Sequence, residues 1–346
     1  MLGFYNAIYE VNPNHQNITL TVIKGDAFGE KALMSNREII WKSKNSEFFT
    51  RNGSEIKKIE DGGIYEIESQ SVFCELLGQE KKIVICGGGH VSIPIIQMGI
   101  MIGCHVTVLE ERPKFADNAR RAGASEVICK PFSEGLESIK GDKDTFFVIV
   151  TRGHRYDQLC LESIVRKEHA YIGMIGSRKR AAIVKETIIR GGAKPEIVDH
   201  IHTPIGLDIG AETPEEIAVS ILAEIIEVKN KNKRTAGYSR DLMKAILNSE
   251  AVPSTEGAKV LATIVTRKGP APREVGTKML ILSDGSCIGT IGGGCVESDI
   301  LREALSMLRQ GKSGAKLCHV DMTGRDAEDE GMICGGIIDV LLEMIV

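Results

Sequence analysis

The chain has 346 residues, 42% of them hydrophobic and 26% charged. That is enough for two or three domains with ordinary cores, and it excludes both a disordered chain and a small disulfide-stapled one. Lys plus Arg (43) against Asp plus Glu (47) leaves a formal charge of -4, so the electrostatic footprint of a nucleic-acid or anionic-membrane binder is missing.

The opening MLGFYNAIYE lacks the charged, apolar and cleavage regions of a secretory signal, which predicts a soluble cytoplasmic protein whose nine cysteines are mostly thiols. Residues 1–79 carry short β-like pieces, Ile18 to Lys24, Lys31 to Met34, Ile39 to Trp41 and Gly63 to Glu68, separated by Gly, Asn and Ser turns. Ile83 to Leu109 contains no Asp, Glu, Lys or Arg and is long enough to imitate a membrane span. Gly87, Gly88, Gly89, Pro94 and two histidines interrupt it, so a strand, helix and strand buried between layers is the better reading. Apolar runs at Ile83 to Cys86, Val106 to Leu109, Val127 to Cys129, Phe146 to Val150 and Tyr171 to Ile175 alternate with stretches of helical period. This alternation predicts a Rossmann-like domain with a parallel sheet over residues 80–229.

A helix starts after Thr213, with Pro214 at its first position and Glu216 completing a capping box, and runs through Ile217, Ile221 and Ile225 toward Val228. Residues 230–254 read as a charged linker with a short helix at Asp241 to Asn248. Residues 255–346 form a third unit, with strands at Val260 to Thr266, Lys278 to Leu282, Ser286 to Thr290 and Ile337 to Ile345, and a helix from Val296 to Leu308. The predicted class is therefore α/β, a Rossmann-like parallel-sheet domain flanked by smaller β-rich α+β units. A faint repeat links the flanks: residues 18–41 and 261–289 share strand, Lys-Gly, turn, Gly-x-Lys and strand. A chance likeness of two β-rich segments is the alternative.

Five short motifs carry chemistry. In CGGGHVS (86–92), Gly87 and Gly89 permit a tight turn and close approach of a phosphate at a helix start, although Ser92 stands where the dinucleotide fingerprint wants Gly or Ala. Glu110 lies where a ribose-binding acid is expected, with Arg112 beyond it. The turn TRGHRYDQ should face that glycine turn, bringing His154 and Asp157 near His90, and IGSRKR places Ser177 and Arg178 at a helix start where cations call for a shared anion. The alternatives are a fold that keeps the turn without a nucleotide and plain solvated cations. In IGGGCVESD (291–299), Cys295 follows Gly292, Gly293 and Gly294 at a helix N-terminus, a position that favours the thiolate. Cys334, in GMICGG, is the other glycine-framed thiol. Cys74, Cys86, Cys104, Cys129 and Cys160, on apolar runs, read as core thiols.

The strings RKGPAPREVGTKMLILSDGSCIGTIGGGCVESDILREA and GMICGGIIDVLLE resemble the signature domain of the XdhC/CoxI family, accessory proteins of xanthine dehydrogenase and carbon monoxide dehydrogenase. ICGGGHVSIPI, TRGHRYDQ, YIGMIGSRKR and PIGLDIGAETPEEIAVSILAEI are similar to that family's Rossmann-like domain. The family usually puts the Gly-Gly-Gly-Cys domain first, so this chain looks circularly rearranged. The resemblance implies a chaperone that binds a molybdopterin-type molybdenum cofactor, protects it during sulfuration by a desulfurase, and delivers it to a molybdenum hydroxylase such as xanthine dehydrogenase. By physical analogy Cys295, with Cys334, would meet the molybdenum or its sulfur, and the N–H groups of Gly292 to Gly294 would hold an anionic part of the ligand. Whether the Rossmann domain takes NAD(P) or another nucleotide stays open. An NAD(P)-dependent oxidoreductase using His154 as acid and base is the main alternative, and a redox-sensing protein using Cys295 is a third. A homodimer is expected on base rates, and a cleft shared between Cys295 and the turn at Gly87 to Gly89 is expected of the architecture.

Overall fold

The computed structural model describes residues 2–44, 46–231, 234, 237–247, 257–271, 273–311, 314–322 and 336–346. It divides into two compact units, Met1–Gln79 with Thr235–Val346, and Glu80–Arg234. The elements of the N-terminal segment are α1 (Leu2–Glu10), β1 (Asn17–Lys24), β2 (Lys31–Ser35), β3 (Glu38–Lys42), α2 (Glu47–Arg51), α3 (Gly53–Ile56), β4 (Gly63–Ile67) and β5 (Gln70–Leu76).

The unit Glu80–Arg234 holds β6 (Lys82–Cys86), α4 (Ser92–Met101), β7 (His105–Leu109), α5 (Pro113–Arg121), β8 (Glu126–Ile128), α6 (Phe132–Ser138), β9 (Thr145–Ile149), α7 (His154–Ile164), β10 (Tyr171–Met174), α8 (Arg178–Arg190), α9 (Pro195–Asp199) and α10 (Pro214–Lys231). Its sheet has the order β10-β9-β6-β7-β8 with parallel pairing throughout, the doubly wound arrangement that reverses beside its first strand. Both faces are covered: Ile83, Ile85, Val106 and Val148 pack with α4 and α10 on one side, while Val84, Phe147, Ile149 and Ile172 pack with α6, α7 and α8 on the other. The charge-free run from Ile83 to Leu109 is thus β6, α4 and β7 of a covered sheet. No helix among the described residues is long and apolar enough to cross a membrane.

The expected capping box forms. Thr213 Oγ1 accepts from Glu216 N at 3.2 Å, and Glu216 Oε2 accepts from Thr213 N at 3.1 Å. The helix continues three residues past Val228 to Lys231, so part of the expected linker is its last turn.

The rest of the chain supplies α11 (Arg240–Leu247), β11 (Lys259–Lys268), β12 (Lys278–Ile281), β13 (Cys287–Gly289), α12 (Gly294–Gln310), β14 (Ala315–Asp321) and β15 (Ile337–Ile345). Its sheet order, β13-β12-β11-β15-β14, copies β3-β2-β1-β5-β4 strand for strand, and every pairing in both is antiparallel. The copies share a bulge as well: register shifts between Val22 and Lys24 against β5, and between Ile264 and Thr266 against β15. A chance likeness does not reproduce a five-strand order and a bulge, so the repeat is one of structure. The two copies belong to the same unit and share one core, in which Phe4, Tyr5 and Leu33 pack with Leu242, Ile246, Leu261 and Leu280.

Two substitutions test this account. Thr213→Ala removes one arm of the capping box and should cost about 1 kcal/mol in chemical denaturation. At Gly87, with φ +115°, a Cβ would stand 2.6 Å from the Val150 carbonyl oxygen. Gly87→Ala should therefore cost about 2–3 kcal/mol, and a loss no larger than that of Thr213→Ala would contradict the close approach.

Candidate functional site

The glycine turn after β6 and the turn after β9 sit on neighbouring parallel strands, so the structure sets them side by side at the carboxyl edge of the sheet. His90 and His154 are both exposed on these turns. Ser92, the departure from the fingerprint, is fully buried and donates its hydroxyl to the Gly87 carbonyl at 2.7 Å, closing the turn that glycine would leave open.

Glu110, directly after β7, has its carboxylate filled from within the protein. Oε2 accepts from Gly88 N at 2.8 Å and from an Arg112 terminal nitrogen at 2.8 Å, while Oε1 accepts from Arg112 N at 3.0 Å and Nε at 2.8 Å. Arg112 also lies over the Phe115 ring at 3.7 Å. Burial opposes the charge, but the Arg112 guanidinium and the Gly88 N–H outweigh it and hold the Glu110 carboxyl below its ordinary range. A ribose hydroxyl at this acid would have to share it with the glycine turn.

Across the sheet, Asp157 is buried in the first turn of α7, accepts the Thr151 hydroxyl, and pairs with Arg180 at 3.1 Å. Burial pushes its carboxyl up to about 6. Of the three cations at the start of α8, Arg180 is thus committed inward, whereas Arg178 is exposed and meets the exposed Asp208 at 3.4 Å. Ser177 is the N-cap of α8, and its hydroxyl accepts from Arg180 N at 3.4 Å.

The thiol loop joins β13 to α12. Gly292, Gly293 and Gly294 have φ of +136°, +75° and +66°, and in this loop the N–H groups of Ile291, Gly292 and Gly293 turn toward one concavity, a form suited to anions. Glu297, from the first turn of α12, fills it. Its Oε1 accepts from Ile291 N at 3.0 Å and from the Thr290 hydroxyl. Burial works against that charge, yet the Thr290 hydroxyl and the N–H groups of Gly293, Ile291 and Gly292 hold the carboxyl low. Among the described residues, nothing lies within 4 Å of where a Cβ on Gly293 or Gly294 would stand. Cys295 is the second residue of α12, and its side chain lies outside what the structure describes, as does all of Cys334. Among the described residues no group of three or more His, Cys, Asp or Glu is arranged to hold a metal ion.

Sequence reasoning missed two neighbours of this loop. Glu297 was visible inside IGGGCVESD as an acid in a first helical turn, which is the signal that finds it. Cys287 is exposed on β13, and its thiol is raised by burial, by Glu297 and by Asp284. Of the expected core thiols, Cys74, Cys86, Cys104 and Cys160 are buried, but Cys129 is only half-buried just past the edge strand β8.

Residues 83–225 match the family described as XdhC Rossmann domain, and residues 254–321, which contain the thiol loop, match the XdhC and CoxI family. The chain belongs to the XdhC/CoxI family. It is 29% identical over 181 residues to the uncharacterized protein YqeB of Escherichia coli, covering 52% of this chain and 32% of that one. It is 26% identical over 164 residues to a probable xanthine dehydrogenase subunit of Bacillus subtilis, covering 47% and 48%. It is 43% identical over 63 residues to the molybdenum cofactor insertion chaperone PaoD of Escherichia coli, covering 18% and 20%. The chain therefore spans no more than about half of the length of these relatives. Among solved structures, a xanthine dehydrogenase from Bacillus halodurans is similar with a TM-score of 0.50 and 25% identity, over 63% of this chain and 64% of that one.

Two measurements follow. Glu110→Gln should cost about 2 kcal/mol, because the partly exposed Arg112 loses its counter-charge. A carboxyl held low in the folded state contributes stability that is complete above its ordinary value of 4.5 and is lost as pH falls through the folded value. The gap between wild type and Glu110→Gln should accordingly close on acidification, and a gap constant down to the acid transition would contradict the pair. Glu297→Gln should move the pH profile of Cys287 alkylation toward lower pH, since one of the charges raising that thiol is gone. An unmoved profile would separate Cys287 from Glu297.

Proposed function

We propose that this protein is a cytoplasmic accessory chaperone for molybdenum hydroxylases. It binds a molybdopterin-type molybdenum cofactor, protects it while a sulfur-donating desulfurase adds the terminal sulfur, and delivers it to an enzyme of the xanthine dehydrogenase type. The observation that carries this reading is the match of residues 254–321 to the XdhC and CoxI family, because that segment contains the loop Gly292 to Cys295. The relation to a protein named as a molybdenum cofactor insertion chaperone supports the cofactor class.

The residues present fit such a group. Among the described residues no side chain stands within 4 Å of a Cβ position on Gly293 or Gly294, which leaves their backbone as a surface suited to a flat ligand. Cys295 is the second residue of the seventeen-residue helix α12, a position at which a helix field favours a thiolate. Gly292 to Gly294 would hold an anionic edge of the cofactor in competition with Glu297, and Cys295, with Cys334, would face its metal or sulfur. When bound, the cofactor supplies a molybdenum centre that can carry a terminal sulfur. The chain's own part is to hold, orient and shield. On the Rossmann unit, Gly87, Gly89, His90, Glu110, His154, Ser177 and Arg178 are proposed as a second contact, to NAD(P), to another nucleotide or to a phosphate of the cofactor.

Anaerobic incubation with molybdenum cofactor, followed by pterin and molybdenum analysis of the protein fraction, tests the proposal. Wild type should retain both, and Cys295→Ala should bind at least about tenfold more weakly. Wild type that never binds the cofactor, or that turns over a nicotinamide cofactor instead, would overturn it.

A further inference from the structure

The two copies within the unit Met1–Gln79 with Thr235–Val346 are joined by charges that cross. Lys31 on β2 reaches Glu343 on β15, Nζ to Oε1 at 2.7 Å, with the side chains 4% and 2% exposed. Lys278 on β12 reaches Glu75 on β5 at 2.7 Å, with 1% and 3%. Strand register makes these pairs equivalent. Thr21 lies opposite Lys31 and Thr263 opposite Lys278. Glu75 pairs with Thr19, and Glu343 with Leu261, which occupy the same place in β1 and β11.

The surroundings repeat too. Lys31 lies over the Phe4 ring at 4.8 Å and Lys278 over the Tyr238 ring at 4.4 Å, and each of these aromatics follows a glycine, Gly3 or Gly237. The bulged residues Ile23 and Val265 meet Phe73 and Leu341 in one apolar cluster that draws one strand residue of each kind from each copy. In the two ion pairs and in the bulge cluster, each contact of the first copy with the second has a counterpart of the second with the first, which is the rule of an isologous two-fold interface.

We propose that this face is a self-complementary pairing surface, and that residues 1–79 occupy on it the place of a second copy of the C-terminal module. The C-terminal copy carries both members of the code. Two such copies on the same axis would join Lys278 of each to Glu343 of the other, under the same aromatic and bulge contacts. The N-terminal copy is a built-in partner without a thiol loop: where the C-terminal copy has Gly292 to Cys295 leading into α12, it has Ser43, Lys44 and Ser46 ahead of α2, and the Ser46 hydroxyl caps α2 by accepting from Phe49 N. This inference stands apart from the cofactor reading, since it needs no ligand.

A charge-inversion series in the full chain tests it. Lys31→Glu with Glu75→Lys sets like charges against Glu343 and Lys278, and leaves the C-terminal face intact. The chain should then pair C-terminal copy with C-terminal copy and N-terminal copy with N-terminal copy, doubling its mass by light scattering relative to wild type. Adding Lys278→Glu and Glu343→Lys restores opposite charges within the chain, and both mass and melting midpoint should return to the wild-type values. A double variant that keeps the wild-type mass, or that melts lower without a doubled species, overturns the second-copy partner. A quadruple variant that does not recover overturns the charges as the determinant of pairing.

Discussion

Four nearly inaccessible charges, Lys31, Glu75, Lys278 and Glu343, lie where the two β-rich copies meet, and the frame around the thiol loop depends on them. Placing ions away from water is costly, and apolar residues of similar volume would often serve stability as well. What the crossed pairs provide is selectivity: any slip of one sheet along the other leaves all four charges unpaired. Gly237 shows how closely the chain is drawn in, since a Cβ there would stand 2.4 Å from Glu75 Oε1 and 2.8 Å from Lys278 Nζ. The sheet that carries the thiol loop through β13 and α12 is therefore held in one register against its partner. Loop position is then an outcome of packing and not of the loop's own sequence.

A second regularity concerns anions. The glycine turn and the thiol loop each hold a carboxylate of the chain itself on their main-chain N–H groups, Glu110 at Gly88 and Glu297 at Ile291 to Gly293. Converging donors left bare would carry a large desolvation cost, so a resident acid is the economical acceptor. An incoming anion must displace a charge-assisted bond whose acceptor is tethered a few residues away. Glu110 is the more firmly held of the two, with Arg112 on both of its oxygens. Glu297 is only partly buried and has a hydroxyl in place of a guanidinium, so its concavity is the easier one to enter. That difference favours the thiol loop over the glycine turn as the place where an anionic ligand gains most.

The sequence shows what local rules decide. Alternating apolar runs mark the parallel sheet, Thr213 and Glu216 mark a helix start, and the Lys-Gly and Gly-x-Lys echo marks the repeat. Less legible were elements whose residues answer to distant partners. β14 mixes exposed residues, Lys316, Leu317, His319 and Asp321, with half-buried ones at a sheet edge, which reads as loop, and α1 was hidden because its aromatics pack on another copy. β5 ran on from β4 with only Glu68 and Ser69 between them, so the hairpin was blurred. The crossed pairs join residues 312 and 203 positions apart, a separation that no periodicity reports. In the candidate site the motif residues were visible, but that Glu110 and Glu297 would accept from the N–H groups of those motifs was not, because that choice depends on backbone angles such as those of Gly292 to Gly294.

Domain order follows from the same physics. The Rossmann unit has a sheet complete in itself and covered on both faces, so it can stand in the sequence between two β-rich copies without contributing a strand to either. The loop-closure cost of so long an insertion grows only with the logarithm of its length. The two copies can then find one another across it, because the pairing information lies on their faces and not in the connection. A chain that starts at the degenerate copy and one that starts at the thiol-bearing copy would build the same pair. An order with the Rossmann domain ahead of the Gly-Gly-Gly-Cys module is thus compatible with an intact module, and a frame made of one blank and one thiol-bearing copy presents one Gly-Gly-Gly-Cys loop per chain.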